Sequence, residues 1–139
     1  MQPITDIKNL IPQKAPFIMV DTLWSHSKSE AISSLTIQKA NLFFENNTFL
    51  EAGLIENMAQ TVALHTGYEY FLKGIDPPTG YIGAIKNVEI SKLPVLNETI
   101  STEVRIIQEF LGVTLVNIEV SNEQHEKIAS CQMKTVIPN

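Results

Sequence analysis

Residues 51–67, EAGLIENMAQTVALHTG, make a helix with almost no polar face. Leu54, Met58, Thr61, Val62 and His65 recur at three- and four-residue steps, and Ile55, Ala59 and Ala63 fill the adjoining stripe. A helix apolar nearly all the way round has to be surrounded by other structure. One carboxylate, Glu56, lies inside this run. Burying an ionised carboxylate costs several kcal/mol unless it is paired or neutralised. Glu56 therefore either has a cationic partner inside the fold or serves as an acid or base. The nearest lysines in sequence, Lys39 and Lys73, lie outside the apolar stretch.

The flanking sequence shows what could enclose such a helix. A short helix is expected near residues 4–10, stopping before Pro12, followed by a β-hairpin from FIMVDTLWSHS and EAISSLTIQ around a polar turn. Beyond the central helix, Gly74 and DPPTG punctuate, and four β-rich runs follow: YIGAIKNVEI, ETISTEVRII, VTLVNIEVS and KIASCQMKTVI. In the second, Ile100, Thr102, Val104 and Ile106 alternate with Thr99, Ser101, Glu103 and Arg105, the period of a strand with one face in a core. A single long apolar helix against a single sheet buries itself only if the sheet curls around it. The expectation is an α+β fold, a central helix wrapped by a curved antiparallel sheet of five to six strands. No repeat, low-complexity tract or long linker divides residues 1–139, so one domain is expected.

Several function classes are excluded on composition. No apolar run approaches the roughly 18 to 20 residues of a membrane span. The start, MQPITDIKNLIPQ, lacks the basic segment and long apolar core of a secretory signal, and the lone cysteine cannot form an internal disulfide, so a reducing cytoplasm is expected. A net charge of -5 with no Lys/Arg cluster speaks against a nucleic-acid partner. No local group of His, Cys, Asp and Glu has metal-ligand spacing, so neither metal nor cofactor is expected.

Three segments carry a resemblance. IPQKAPFIMVD (11–21) is similar to the L-P-H-R-x-P-F-L-L-V-D opening of the β-hydroxyacyl-[acyl-carrier-protein] dehydratases, and IENMAQ (55–60) to their E-A-M-A-Q helix segment. LPVLNETI (93–100) is a looser echo of their P-V-x-P-G-D-x-L turn, one residue shorter. The shortened segment ahead of the helix resembles the divergent dehydratase-like proteins of polyketide and aryl-polyene pigment synthesis. The resemblance implies a hotdog fold, a homodimer with tunnels at its two-fold interface, and a 3-hydroxyacyl thioester substrate on acyl-carrier protein or coenzyme A. It also implies that Glu56 is the acid that handles the 3-hydroxyl. A carboxyl in apolar surroundings can hold a proton for a leaving hydroxide.

The same resemblance exposes a gap. The family's second catalytic residue is a histidine in G-H-F-P that removes the C2 proton, but the corresponding segment here, NLFFENNTFLEAG, has no histidine and is about five residues short. Anchoring on NLFF places that histidine at Asn47; counting back from Glu56 places it at Leu42. Asn47 is thus the candidate at the catalytic position, although Asn46 and Asn47 also suit a plain turn. His65 lies nine residues past Glu56, on the opposite side of the helix at about 100° per residue. His26 and His125 fall in polar, turn-like stretches, and Gln13 replaces the histidine of the opening motif. Cys131 alternates with Ala129 and Met133 and fits a small core residue better than a nucleophile.

Substrate-binding candidates follow from the same alignment. The helix start at Gly53 could hold a thioester carbonyl with free N–H groups, or Gly53 could only permit close packing. Gln60, at i+4, could orient Glu56 or satisfy buried backbone. Phe43 and Phe44, with Asn47, are placed beside Glu56 of the partner protomer, and Gly83 and Ala84 match the strand that lines the acyl tunnel. Three functions are consistent with these residues: a dehydratase using Glu56, alone or with water, as base and acid; a hotdog acyl thioesterase in which the carboxylate activates water; and a non-catalytic acyl-carrier binding or scaffold subunit. Lys14, Lys86 and Lys92 are the scattered cations available to an acidic carrier protein.

Overall fold

The computed structural model describes residues 1–138. The chain runs β1 (Thr22–His26), β2 (Glu30–Thr36), β3 (Phe44–Glu45), β4 (Thr48–Phe49), α1 (Glu51–Leu72), β5 (Tyr81–Ile90), β6 (Thr99–Phe110), β7 (Val113–Ser121) and β8 (Lys127–Val136). Six strands form one antiparallel sheet in the order β1-β2-β6-β7-β8-β5, and β3 and β4 make a separate two-stranded hairpin. The sheet curls around α1 in the hotdog arrangement. The two crossovers in that order, β2 to β6 and β8 to β5, are what leave room for the helix between hairpin and meander.

The alternation seen in the sequence is the burial pattern of the strands. Ile100, Thr102 and Val104 of β6 are fully buried and Ile106 half-buried, while Val116, Ile118 and Val120 of β7 and Met133 of β8 continue the same inner face. Against it α1 sets Leu54, Met58 and Val62, spaced four apart. A second cluster forms on the other flank of α1, where Leu64 meets Ile7, Leu10, Ile11, Val20, Leu23 and Ala31.

Two expectations are corrected. Residues 4–10 are not helical: Ile4 pairs with Leu23 in an isolated antiparallel bridge, and only a turn, Leu10 N–H to Ile7 C=O at 2.9 Å, follows. Gly83 and Ala84 lie on β5, an edge strand that pairs only with β8 and is buried nowhere along its length. The helix is also not enclosed all round. Ile55, Glu56, Ala59, Ala63, Thr66 and Tyr70 form a half-buried strip along one face.

The N-terminal arm approaches the helix most closely at Gly67. A Cβ placed there would fall on the backbone carbonyl of Leu10, an atom with no freedom to swing aside. Gly67→Ala should therefore lose at least about 2 kcal/mol to overpacking, despite alanine's better helix propensity. Urea denaturation measures this; a variant as stable as the parent would show that the arm is not held against α1.

Candidate active site

Glu56 sits in the second turn of α1 with its carboxyl fixed from the next turn. Gln60 Nε2 donates to Glu56 Oε1 at 2.9 Å and to the carbonyl of Phe17 at 2.8 Å, while Gln60 Oε1 accepts the Met19 N–H at 2.6 Å. Because a backbone N–H can only donate, it pins the amide oxygen and leaves the NH₂ facing Glu56. The two alternatives for Gln60, orienting the acid and satisfying buried backbone, are one arrangement. No cation lies within ion-pairing distance of Glu56 among the described residues, whose salt bridges join Lys92 to Glu126 and Arg105 to Glu30 and Glu103. The buried ion-pair alternative is removed.

A neighbour overlooked in the sequence completes this clamp. Asn57 is fully buried; its Nδ2 donates to the Met19 carbonyl at 2.7 Å, and its Oδ1 accepts the Thr102 hydroxyl at 2.6 Å. Thr61, one turn on, donates to the Asn57 carbonyl at 2.8 Å and shares a 2.7 Å hydrogen bond with Ser33. The rule that drew attention to Glu56, that a buried polar group needs partners, applies equally to Asn57 and could have found it.

The segment to which the resemblance assigns the histidine position forms the β3–β4 hairpin. Phe44 pairs with Phe49 and Glu45 with Thr48 around Asn46 and Asn47, whose φ values of 52° and 64° are those of a tight two-residue turn. Asn47 is exposed at the tip, and no hydrogen bond joins it to Glu56 among the described residues. Phe43 and Phe44 are half-buried against the main core. Gly53 is buried at the start of α1, where a Cβ would lie 2.5 Å from the Phe49 ring and 2.8 Å from Phe43 Cβ, so its bare backbone admits the hairpin. The cap position before it, Leu50, offers no side-chain acceptor, and the first N–H groups of α1 stay available.

From Glu56 an apolar strip leads along α1 through Ala59 and Ala63 into a groove of about 680 Å³, walled by Val104, Ile106 and Val116 of the sheet and by the 77–82 loop and strand start. Its α1 wall ends at Tyr70, eleven residues beyond Ala59 and therefore about 16 Å along the axis. Gly83 and Ala84 are not part of its wall; Ala84 borders a separate, minor cavity on the β8 side. Gln13, at the rim, keeps a buried side-chain oxygen with no hydrogen-bond partner.

The remaining candidates are placed away from Glu56. Cys131 is buried with its Sγ 3.7 Å from Met58 Sδ, and burial pushes its thiol up to about 11, which suits a core residue. His125 is exposed at the β7–β8 turn with φ 63°. His65 faces away from Glu56, as its spacing predicts, and stacks on His26, which ends β1 instead of lying in a turn.

The family model for ApeP-like proteins, described as ApeP dehydratase, matches residues 5–139. No curated protein matches the sequence. Among solved structures, the dehydratase heterocomplex ApeI:P from Xenorhabdus doucetiae is similar with a TM-score of 0.87 at 14% identity, over 96% of this chain and 91% of that one. smu.793 from Streptococcus mutans UA159, bound to acetyl CoA, gives 0.73 at 12% identity over 94% and 98%. The E. coli PaaI protein of the phenylacetic acid degradation operon gives 0.67 at 11% identity over 84% and 78%. These likenesses establish the fold.

Asn57→Ala would leave the Met19 carbonyl and the Thr102 hydroxyl buried without partners. At roughly 1–3 kcal/mol for each orphaned group, a loss of about 2–5 kcal/mol is expected. Urea midpoints read at constant slope measure it; a loss below about 1 kcal/mol would mean that the clamp is not holding the segment.

Proposed function

Since the chain belongs to the ApeP-like dehydratase family, we propose that it acts in the dehydration of 3-hydroxyacyl thioesters carried on acyl-carrier protein or coenzyme A, with Glu56 as the acid. The observation that carries this reading is a half-exposed carboxyl without a cation, held by Gln60 and lying one turn before Ala59, where the α1 wall of the groove begins. In the reaction the C2–H proton passes to a base, the electron pair forms the C2–C3 double bond, and the 3-hydroxyl leaves as water with a proton from Glu56. An acyl chain lying in the groove would set C3 near Glu56. The first N–H groups of α1, which no side chain caps, would receive the thioester oxygen as negative charge develops on it.

The C2 base is the part this chain does not obviously hold. Two sources fit. Glu56 can serve both steps through a water molecule, or a second hotdog subunit can bring a base to a shared site. The open edge of β5, with its exposed apolar residues Ile85 and Val88 outside the groove, favours an assembled state. A second copy, joined through β5, is the simplest partner, with Phe43, Phe44 and Asn47 of each protomer brought toward Glu56 of the other. The similar Xenorhabdus chain belongs to a heterocomplex, which supports a different hotdog subunit as the alternative.

Thioester hydrolysis is the second reading, supported by the missing histidine and by likeness to a hypothetical thioesterase of Streptococcus pneumoniae with coenzyme A, TM-score 0.69 at 7% identity over 84% of each chain. The product decides. A conjugated 2-enoyl thioester identifies a dehydratase, a free thiol identifies a hydrolase, and neither product from the chain alone or from the chain with its partner leaves a binding subunit.

Two outcomes are expected. Glu56→Gln keeps size and hydrogen-bonding reach, so stability should change by less than about 1 kcal/mol while turnover disappears; activity that survives, or a collapsed melting temperature, would sink the assignment of Glu56. Light scattering of the isolated chain should give the mass of two protomers, and a clean monomer would rule out self-association and direct the search to a heterologous subunit.

A further inference from the structure

The cluster formed by His26, His65 and Glu69 lies apart from the site around Glu56 and is used by none of the chemistry above. His65 and Glu69 are one turn apart on α1, and the end of β1 delivers His26 to them, so that ligand atoms of all three lie within 4.8 Å of one another. Local spacing could not reveal this, because 39 residues separate the two histidines in sequence.

The hydrogen-bond partners fix which nitrogen of each ring is engaged. His65 Nε2 lies 2.8 Å from the Ser27 carbonyl, and His26 Nε2 lies 3.1 Å from the His65 carbonyl. A carbonyl only accepts, so each Nε2 carries a hydrogen and Nδ1 is the nitrogen of each ring left to a metal. Imidazoles whose second nitrogen donates to a backbone carbonyl are the arrangement in which metal-binding histidines are ordinarily found.

We propose that His26, His65 and Glu69 bind one divalent transition-metal ion of the zinc type, through two neutral imidazoles and one carboxylate. Zinc at about 2.0–2.1 Å from each ligand sets neighbouring donors about 3.3 Å apart, so a modest closing of these side chains completes the set, with a fourth position left for water. The donors suit zinc, cobalt or nickel, and not the all-oxygen preference of calcium or magnesium. Packing alone accounts for the ring stack, 4.7 Å between centroids, and for Tyr68 edge-on to His26. It gives no reason for a carboxylate beside two rings of fixed tautomer. Nine residues along α1 place His65 about 13 Å from Glu56, so the ion would not act on the hydroxyl that Glu56 handles. It would fasten the β1–β2 turn to the wall of the groove, to which His65 and Glu69 both contribute.

The test is zinc titration of the metal-stripped full chain by calorimetry, with cobalt absorption reporting the donor set. One ion per chain is expected, with a rise in melting temperature. Glu69→Gln and His26→Ala should each weaken binding at least about tenfold, which is the least that losing even an outer partner costs at such a site. His125→Ala, at an exposed turn, should bind as the parent does. Because Glu69→Gln leaves the ring stack in place, its result decides even if His26→Ala is poorly folded. Absence of saturable binding, binding undiminished in Glu69→Gln, or binding lost in His125→Ala would overturn the site.

Discussion

Two side-chain amides of α1 hold a stretch of backbone that no strand holds. Met19 gives its N–H to Gln60 and receives the Asn57 side chain on its carbonyl. Residues 17–19 thus lie against the helix without a sheet ladder, with the Phe17 carbonyl and both backbone groups of Met19 bonded to helix side chains and the Phe17 N–H to the Lys14 carbonyl. Two residues on, the Asp21 N–H bonds the Ser34 carbonyl and the Asp21 carboxylate accepts the Thr36 N–H, which passes the connection to β2. The helix is fastened to the sheet through this segment as well as by apolar packing. A buried donor or acceptor without its partner costs more than a typical hydrogen bond gains, so the clamp tolerates little slack. Glu56 inherits that rigidity, since the amide that orients it cannot turn without releasing Met19.

The apolar character of α1 contains two different facts. Leu54, Met58 and Val62 are apolar because the chain's own sheet covers them, whereas Ile55, Ala59 and Ala63 are apolar and still half-open. Of these, Ala59 and Ala63 border the groove together with Val62.

Much of this was legible in the sequence, and the failures have physical causes. The period-2 strands, the hairpin and the helix were readable because each has one face in the core, and Gln60 because it lies one turn from Glu56. The N-terminal arm misleads: Ile4, Ile7, Leu10 and Ile11 fall at three- and four-residue steps, yet they reach a common cluster from irregular backbone, with Ile4 tied to Leu23 as a bridge. The half-open setting of Glu56 was not legible, because composition records that a face is apolar and not which molecule covers it. Asn57 was passed over as one polar residue in an apolar helix, although its burial is what the Met19 clamp requires. The juxtaposition of His26 with His65 depends on the β1–β2 turn meeting α1, a long-range contact that no local pattern encodes.

The form of β5 limits what can join it. Its pairing with β8 slips twice, between Ile82 and Ala84 and between Lys86 and Glu89, and Asn87 adopts φ 54° within the strand. A strand broken in this way presents N–H and C=O groups at uneven intervals along its open side. A flat, regular strand from an unfolding neighbour would match only a few of them, whereas a strand with the same irregularities, turned by a two-fold axis, could match them in reciprocal order. An edge lined with Tyr81, Ile82, Ile85 and Val88 would otherwise invite indiscriminate aggregation. Its bulges make it a poor template for ordinary β-structure.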